Sequence, residues 1–506
     1  MKKSFGGLLY LMVFCIASVL ASTPAFATNG MNLEGYGPIA TGMGGASMAY
    51  DNGAAALMNN PATLALMPQG NRLDVALGYL GPHVTAKKDG ESAGSSGREY
   101  YMPAFGWIQK SGQMSYGLGM FAQGGMGTDY SKDSFLAYGS GEKVRAEVSV
   151  GRLLIPFAFE INKSFSVAAT VDYVWAGMDL KMALTGGQFL DMAAGGSQTY
   201  GEVSGTMMTA FNNAVAGGFI SNPMTPGNPM PVNWGRFDFS DDNDFTGSAK
   251  GAGFGGKIGG VYQVNGDFAI GVTYHSKTAL SDLETDKAKV SFNANVDNNV
   301  LNGTWNGIPV GMPGNIGTPA GTYSAAPIPV SGTIEVKDFE WPQMAGIGMA
   351  YHATANLMIV ADYKWINWEE VMKNFKMTFT ADSSQSGLAQ GFAGTVLDAT
   401  MYQKWKDQHV IMIGAGYKVA TDWTLRAGVN YANNPIPDTY LNALFPAIEK
   451  THVTIGAGYM ISKASSVDAS FTYAPEVKQT SGANAPGGAT VTHYQTNAQL
   501  MYSYRF

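Results

Sequence analysis

LMIVADYKWI, residues 357–366, is the stretch that decides the fold. Its odd positions, Leu357, Ile359, Ala361, Tyr363 and Trp365, are apolar or aromatic, whereas Asp362 and Lys364 fall between them. A two-residue period puts these sets on opposite faces of a strand. The charged face must therefore meet water or polar partners while its back meets something apolar. The pattern recurs. Phe268, Ile270, Val272 and Tyr274 alternate with Ala269, Gly271, Thr273 and His275, and Val467, Ala469, Phe471 and Tyr473 alternate with Asp468, Ser470 and Thr472.

Outward from these strands, tight turn clusters stand at 111–113, 162–164, 265–266, 353–355, 420–422 and 462–464. Pairing strands around them predicts an all-β, transmembrane antiparallel β-barrel of about fourteen strands. Their expected starts lie near residues 72, 100, 114, 144, 165, 251, 267, 333, 356, 407, 423, 449, 466 and 491. Long extracellular loops are expected at 181–250, 281–332, 369–406 and 433–448, with both termini on the short-turn side. Leu500, Tyr502, Tyr504 and Phe506 form an outward apolar series in the last strand, the feature that barrel-insertion machinery reads. Trp175, Tyr351, Trp365, Trp368 and Trp423 near strand ends suit interfacial girdles.

Composition agrees with a weakly charged, sheet-rich protein. The chain has 506 residues, 65 of them Gly, with 45% hydrophobic and only 14% charged residues. Glycine shows no three-residue period, which excludes collagen, and the apolar content excludes disorder. A net charge of −7 offers no basic footprint for nucleic acid. Met1-Lys2-Lys3, an apolar run to Ala21 and then Ala25-Phe26-Ala27 read as a signal peptide over 1–27, which carries away the single cysteine, Cys15. No later run is long and apolar enough for a helical span, so a membrane-crossing chain would have to close as a barrel.

Residues 28–70 read differently. They are Gly- and Ala-rich, almost uncharged and broken by Pro61 and Pro68, yet carry Ile39, Met43, Met48, Leu57, Leu64, Leu66 and Met67. Such a segment is expected to coil inside the barrel formed by 71–506, as a plug. Gly42-Met43-Gly44-Gly45-Ala46, then Asn60-Pro61-Ala62 just ahead of the first strand, resemble the FadL/TodX (OMPP1) family of outer-membrane transporters for long-chain fatty acids and other hydrophobic compounds. Asp362-Tyr363-Lys364-Trp365 with Trp368, and the loop bearing Pro435, Pro437, Asp438 and Pro446, carry the resemblance further. It implies a fourteen-stranded barrel closed by an N-terminal hatch, with Asn60, Pro61 and Ala62 as the hatch motif. It also implies a Gram-negative outer-membrane location, contact with lipid and lipopolysaccharide, a hydrophobic small-molecule cargo, a monomer and no cofactor.

In that family cargo is captured among the loops, passes to an internal apolar pocket and leaves sideways through a gap in the third strand. Here the third strand contains Gly117, Gly119, Gly124 and Gly125, suited to a kink or bulge. Met207, Phe211, Val215 and Phe219 recur every four residues, as one stripe of a short helix would, and are the loop-groove candidates; Leu388, Phe392 and Val396 repeat the spacing. A carboxylate entering a dry pocket would want a cation. By strand parity Arg426, Lys364 and Lys257 point inward and are the candidates, with Asp362, Asp172 and Asp468 as competing partners.

Three other readings compete. An enzyme would need grouped catalytic residues, but the six histidines are scattered and no G-x-S-x-G or H-E-x-x-H is present, so no metal or catalytic site is expected. A water-filled porin shares the barrel but has no need of the 28–70 segment. An adhesin would use only the loops.

Overall fold

The computed structural model describes residues 29–194, 199–242, 247–302, 322–482 and 489–506; the expected signal peptide lies outside them. In chain order the strands are β1 (Gly70–Lys88), β2 (Glu91–Gly94), β3 (Tyr100–Ser111), β4 (Met114–Tyr130), β5 (Val144–Asn162), β6 (Phe165–Thr185), β7 (Gly201–Ser204) and β8 (Val232–Phe239). There follow β9 (Ala249–Gln263), β10 (Phe268–His275), β11 (Ala279–Leu280), β12 (Leu283–Asp297), β13 (Tyr323–Lys337), β14 (Met344–His352) and β15 (Leu357–Ile366). The last are β16 (Asn374–Ala381), β17 (Val396–Tyr402), β18 (Gln408–Lys418), β19 (Trp423–Ala432), β20 (Thr451–Met460), β21 (Ser465–Thr480) and β22 (Thr490–Arg505).

Antiparallel pairing runs β1–β3–β4–β5–β6–β9–β10–β14–β15–β18–β19–β20–β21–β22. It closes where β22 returns to β1, from Arg72 opposite Arg505 to Lys87 opposite Thr490. The molecule is an all-β closed antiparallel barrel with few helices, none of those described long and apolar enough to cross a membrane.

The two-residue period explains the wall. Asp362 and Lys364 are buried inside while Tyr363 faces out, and Asp468, Ser470 and Thr472 face in against Phe471 and Tyr473 outside. Val75, Leu77, Phe157, Val171, Ile258, Ile347, Ile411, Ile455 and Leu500 stand exposed around the outer surface. An apolar belt of this extent demands lipid around it.

Three expectations are corrected. Connections 181–250, 281–332 and 369–406 carry strands of their own among the described residues: β8, β12, β13, β16, β17 and β7 pair with one another and with the upper ends of β6 and β9. Pro327 and Pro329 disguise β13, but they lie where it pairs only with β12, and an edge position tolerates a residue without N–H. The wall strand expected near 333 is instead β14, because Thr333 belongs to β13. Asp338, with φ 55, and Pro342 separate the two. Trp368 is fully buried rather than part of an outer girdle, unlike Tyr351 and Trp423, which are exposed.

Residues 29–69 contain no strand. A short helix (Pro38–Thr41) and two 3-10 turns (Gly53–Leu57 and Pro61–Leu66) coil against the inward faces of the wall, with Met43, Met48 and Leu57 buried. Each such side chain contributes about 1.5–3 kcal/mol of burial. The backbone is tied to the wall as well. Asp74 Oδ2 accepts from Ala54 N at 2.7 Å, Asp362 Oδ2 from Met48 N at 3.1 Å, and Thr454 Oγ1 from Gly44 N at 2.9 Å.

Wall glycines make the space. A Cβ added to Gly271 would stand 1.8 Å from Met48 O, one on Gly414 would stand 2.4 Å from Met43 O, and one on Gly428 would stand 2.2 Å from Gly44 N. Part of the high glycine content is thus an internal groove for the N-terminal segment.

Candidate functional site

The wall is incomplete at one place. β3 and β4 pair from Ser111 opposite Met114 only as far as Phe105 opposite Met120. Beyond that point β3 continues against β1 up to Tyr100, while β4 follows β5 up to Tyr130. The two strands therefore diverge, and a cavity of 280 Å³ fills the fork. Leu80, Met102, Met120, Val148 and Trp175 give it a mainly apolar lining.

The fork coincides with a bulge. The β4–β5 register shifts by one residue between Ala122 and Gly124, leaving Gln123 unmatched. Bulges bend a strand and re-aim a side chain. Of the four glycines singled out from sequence, Gly124 and Gly125 sit at the bulge, and Gly117 and Gly119 lie below it, opposite Ile108 and Gly106. Close approach of backbone requires glycine at Gly117, Gly124 and Gly125, whereas Gly119 faces side-chain ends. An added Cβ would come within 2.0 Å of Trp107 O at Gly117 and 2.4 Å of Leu57 Cδ1 at Gly119. At Gly124 it would meet Met31 O at 2.2 Å, and at Gly125 it would meet Val148 O at 2.3 Å.

The N-terminal segment holds this bulge. Gly125 N donates to Met31 O at 3.1 Å, and Asn32 forms a bridge with Gly124. Gln123 Nε2 donates to Asn32 Oδ1 and to Tyr36 Oη, both at 3.0 Å, while the Tyr36 hydroxyl donates to the Gln123 carbonyl. Asn32 Oδ1 also accepts from Trp341 Nε1 at 2.8 Å. Behind Trp341 lie Trp368 and Trp405, ring centroids 5.6 and 5.5 Å apart in edge contacts. Such offset geometry suits the ring quadrupoles and stiffens the support. Sequence reasoning missed Gln123, Asn32, Tyr36 and Trp341. The one available signal was a lone amide directly ahead of two glycines in Ala122-Gln123-Gly124-Gly125.

The Asn60-Pro61-Ala62 triplet has a local explanation. Asn60 caps the 3-10 turn, its Oδ1 accepting from Ala62 N at 3.1 Å, and Pro61 occupies the first helical position, where its missing N–H costs nothing. Asn60 Nδ2 donates to Met48 O at 2.7 Å and to Gly260 O of β9 at 3.2 Å. One side chain thus caps a turn and fastens it to the wall.

Among the loop candidates, Met207, Phe211 and Val215 share a helix, Thr206–Ala216, as their spacing requires. Met207 and Phe211 turn into the packed interior, where Phe211 meets Phe189 and Phe292 at 5.8 and 5.9 Å. Phe219 instead lines a 240 Å³ apolar cavity with Ala210, Ala214, Ile220, Leu388 and Phe392. A smaller 30 Å³ cavity, which shares Val148 with the fork lining, is lined by Met31, Met178, Met182, Met372 and Met401.

The three inward cations have different surroundings. Lys257 Nζ lies against Asp172 Oδ2, which Arg152 Nη1 also meets at 2.8 Å. Arg426 Nη1 meets Asp468 Oδ1 at 2.8 Å. Lys364 shares its face with Asp362, whose Oδ2 receives the amides of Ser47 and Met48. Lys257 and Arg426 are therefore already matched by carboxylates. The structure brings none of these three to the lining of the fork cavity.

The profile of the family described as outer membrane protein transport protein (OMPP1/FadL/TodX) matches residues 14–506. The chain belongs to this family. Members of the OMPP1/FadL/TodX family are outer-membrane β-barrel transporters of fatty acids and hydrocarbons. The Pseudomonas putida toluene transporter TodX is 26% identical, with a TM-score of 0.71 over 94% of this chain and 99% of that one. The Ralstonia pickettii toluene transporter TbuX is 28% identical, with a TM-score of 0.69 over the same shares.

The long-chain fatty acid transport protein of Escherichia coli O6:H1 (strain CFT073) is 22% identical over 93% of this chain and 92% of its own length. A shorter match, 54% identical over 65 residues, links 13% of this chain to an uncharacterized Chlorobium limicola protein. The chain spans only 32% of that relative's length.

Proposed function

We propose that this chain takes up hydrophobic small molecules across the outer membrane and releases them sideways through the fork between β3 and β4. What carries the reading is the coincidence, at one position, of a split wall, an apolar 280 Å³ cavity and a bulge bound by the N-terminal segment. Fourteen wall strands cross the membrane with both termini on the periplasmic side. Residues 28–70 act as the hatch, and the signal peptide over 1–27 is removed on export. The chain works as a monomer embedded in lipid and lipopolysaccharide, inserted by the machinery that reads its final strand.

In this mechanism cargo first leaves water at the outer cavity beside Phe219, where apolar burial supplies the affinity at about 0.8 kcal/mol per methylene. The Met-rich cavity offers deformable walls on the way to the fork. Movement of Met31 and Asn32 away from Gly124 and Gly125 frees Gln123 and the bulge, and the fork then opens toward lipid. A single coupled contact set links cargo arrival inside to wall opening. The named toluene and fatty-acid transporters among the relatives favour a monoaromatic or acyl cargo. A water-filled porin is disfavoured by the buried segment that fills the lumen.

The test is uptake of radiolabelled toluene and of a long-chain fatty acid by cells depending on this protein, with a small sugar as control. Lipophile uptake without sugar leakage, abolished by deleting residues 29–67, is the expected result. Sugar passage with neither lipophile taken up refutes it.

A further inference from the structure

The fork cavity runs through the wall rather than stopping at it. Its lining passes from Val84, Val148 and His493, buried on the inner side, to Tyr101, Met120 and Trp175, exposed on the outer one. Tyr101 belongs to β3, one bank of the split, and Met120 to the last β3–β4 pair at its foot. Trp175 is rooted elsewhere. It stands on β6 in a cross-strand row with Gly151 of β5 and Ala122 of β4, two strands and so about 10 Å from the β4 bank. Only a side chain lying across β5 reaches the fork from there.

Gly151 makes that reach possible. It is the direct partner of Trp175 and itself lines the cavity. A Cβ at this position would collide with Cζ2, Cε2 and Nε1 of the indole, so the ring covers backbone that has no side chain of its own. Covering a strand glycine with a cross-strand aromatic stabilises a sheet. Here it also carries the indole to the fork, with 37% of the residue still exposed on the lipid side. Tyr173, two residues earlier on the same face and likewise exposed, does not line the cavity. Membership of the outer belt therefore does not account for the reach of Trp175.

We propose that Trp175 sets the width of the lipid-side mouth of the fork, and with it the girth of the molecules that leave through it, while Gly151 seats the indole. This deepens the transport function proposed above and rests on it. The interior is not the limit. Cavities of about 150 Å³ already hold benzene, and this one measures 280 Å³, room for a second fused ring. A hydrocarbon offers no hydrogen bond by which to be chosen, so discrimination has to come from a clash, and the mouth is where a bulky side chain can supply one.

The test compares uptake of toluene and naphthalene by cells depending on this protein, in wild type, Trp175→Ala, Trp175→Phe, Gly151→Ala and Tyr173→Ala, with barrel folding checked by heat-resistant mobility on gels. The naphthalene-to-toluene ratio should rise several-fold in Trp175→Ala and less in Trp175→Phe, with toluene uptake retained. Gly151→Ala should raise it too, since the added methyl displaces the indole from its seat without removing it. Tyr173→Ala should keep the wild-type ratio. Where Trp175→Ala does not fold, Trp175→Phe and Gly151→Ala answer by the same ratio. A wild-type ratio in folded Trp175 variants, or an equal rise in Tyr173→Ala, overturns the role of Trp175 while the transport function stands. A wild-type ratio in Gly151→Ala alone overturns the seat. Failure of the wild-type protein to take up either hydrocarbon removes the transport function and this filter together.

Discussion

Gln123 donates its side-chain amide to Asn32 Oδ1 across 3.0 Å, joining the unmatched residue of a wall bulge to the N-terminal segment 91 positions earlier. Trp341 donates to the same oxygen at 2.8 Å, so Asn32 couples the bulge to the tryptophan stack.

Replacing Gln123 with Ala removes its two side-chain donations, to Asn32 Oδ1 and to Tyr36 Oη, and keeps the Tyr36 bond to its backbone carbonyl. At about 1 kcal/mol net per hydrogen bond, the closed arrangement should lose roughly five- to thirty-fold in relative population. Toluene uptake should rise correspondingly in vesicles containing the variant. A fall in uptake with a normally folded barrel would show that the contact promotes opening instead.

Gly124→Ala forces a methyl into the carbonyl of Met31, whereas Gly266→Ala meets nothing within 4 Å. Overpacking of this kind costs about 1–3 kcal/mol. The Gly124 variant should show faster hydrogen exchange at Met31 and Asn32, with Gly266→Ala indistinguishable from wild type. Equal exchange in both variants would mean that the segment does not bear on the bulge.

Asn60→Ala deletes a cap and the donor to Met48 O and Gly260 O. The cap alone is worth about 1–2 kcal/mol. Limited proteolysis should cut within 50–67 several times faster, and the wall should keep its heat-resistant mobility on gels. Wild-type resistance to cleavage would relieve Asn60 of any anchoring role.

Asp172 sits between Arg152 and Lys257, so removing different members should have unequal effects. Asp172→Leu strands two buried cations and should cost about 3–5 kcal/mol or prevent folding, whereas Lys257→Met leaves the Arg152 pair and should be mild. Thermal unfolding compares them. If Lys257→Met abolishes uptake of a fatty acid at wild-type stability, Lys257 serves cargo as well as Asp172.

Burial holds the Glu34 carboxyl above the usual carboxylate range, against weaker opposing hydrogen bonds that include Asn497. Because the folded value is raised, the neutral acid is the favoured form. The stability this group supplies is complete below its unfolded value, about 4.3, and is lost as pH rises through the folded one. Hydrogen exchange around 31–36, corrected for intrinsic rates, should slow as pH falls from about 7 to about 5. Glu34→Gln should flatten the profile, and an unchanged slope in that variant would assign the effect elsewhere.

Sequence made the wall legible because a strand with lipid on one face and polar groups on the other must alternate, as Ala361, Asp362, Tyr363, Lys364 and Trp365 do. It also marked 28–70 as something other than wall. Gln123 was not legible, since a one-residue register slip between Ala122 and Gly124 breaks the very period by which strands are recognised. The Met207–Phe211 stripe correctly implied a helix, but spacing cannot tell whether that face meets cargo or Phe292. Trp175 reads in sequence as one more girdle aromatic, and only its register opposite Gly151 carries it to the fork.

Phe506 N donates to Asn71 O and Asn71 N donates to Phe506 O, immediately beside the point where the coiled segment enters at Gly70. The strands that zip together there are the two farthest apart along the wall. Wall glycines that receive Met43, Met48 and Gly44 lie on β10, β18 and β19, well around the ring from that zipper. A pull on the nested segment is therefore carried through Gly70 into β1 and its ladder with β22, so the seam bears the load of any movement of that segment.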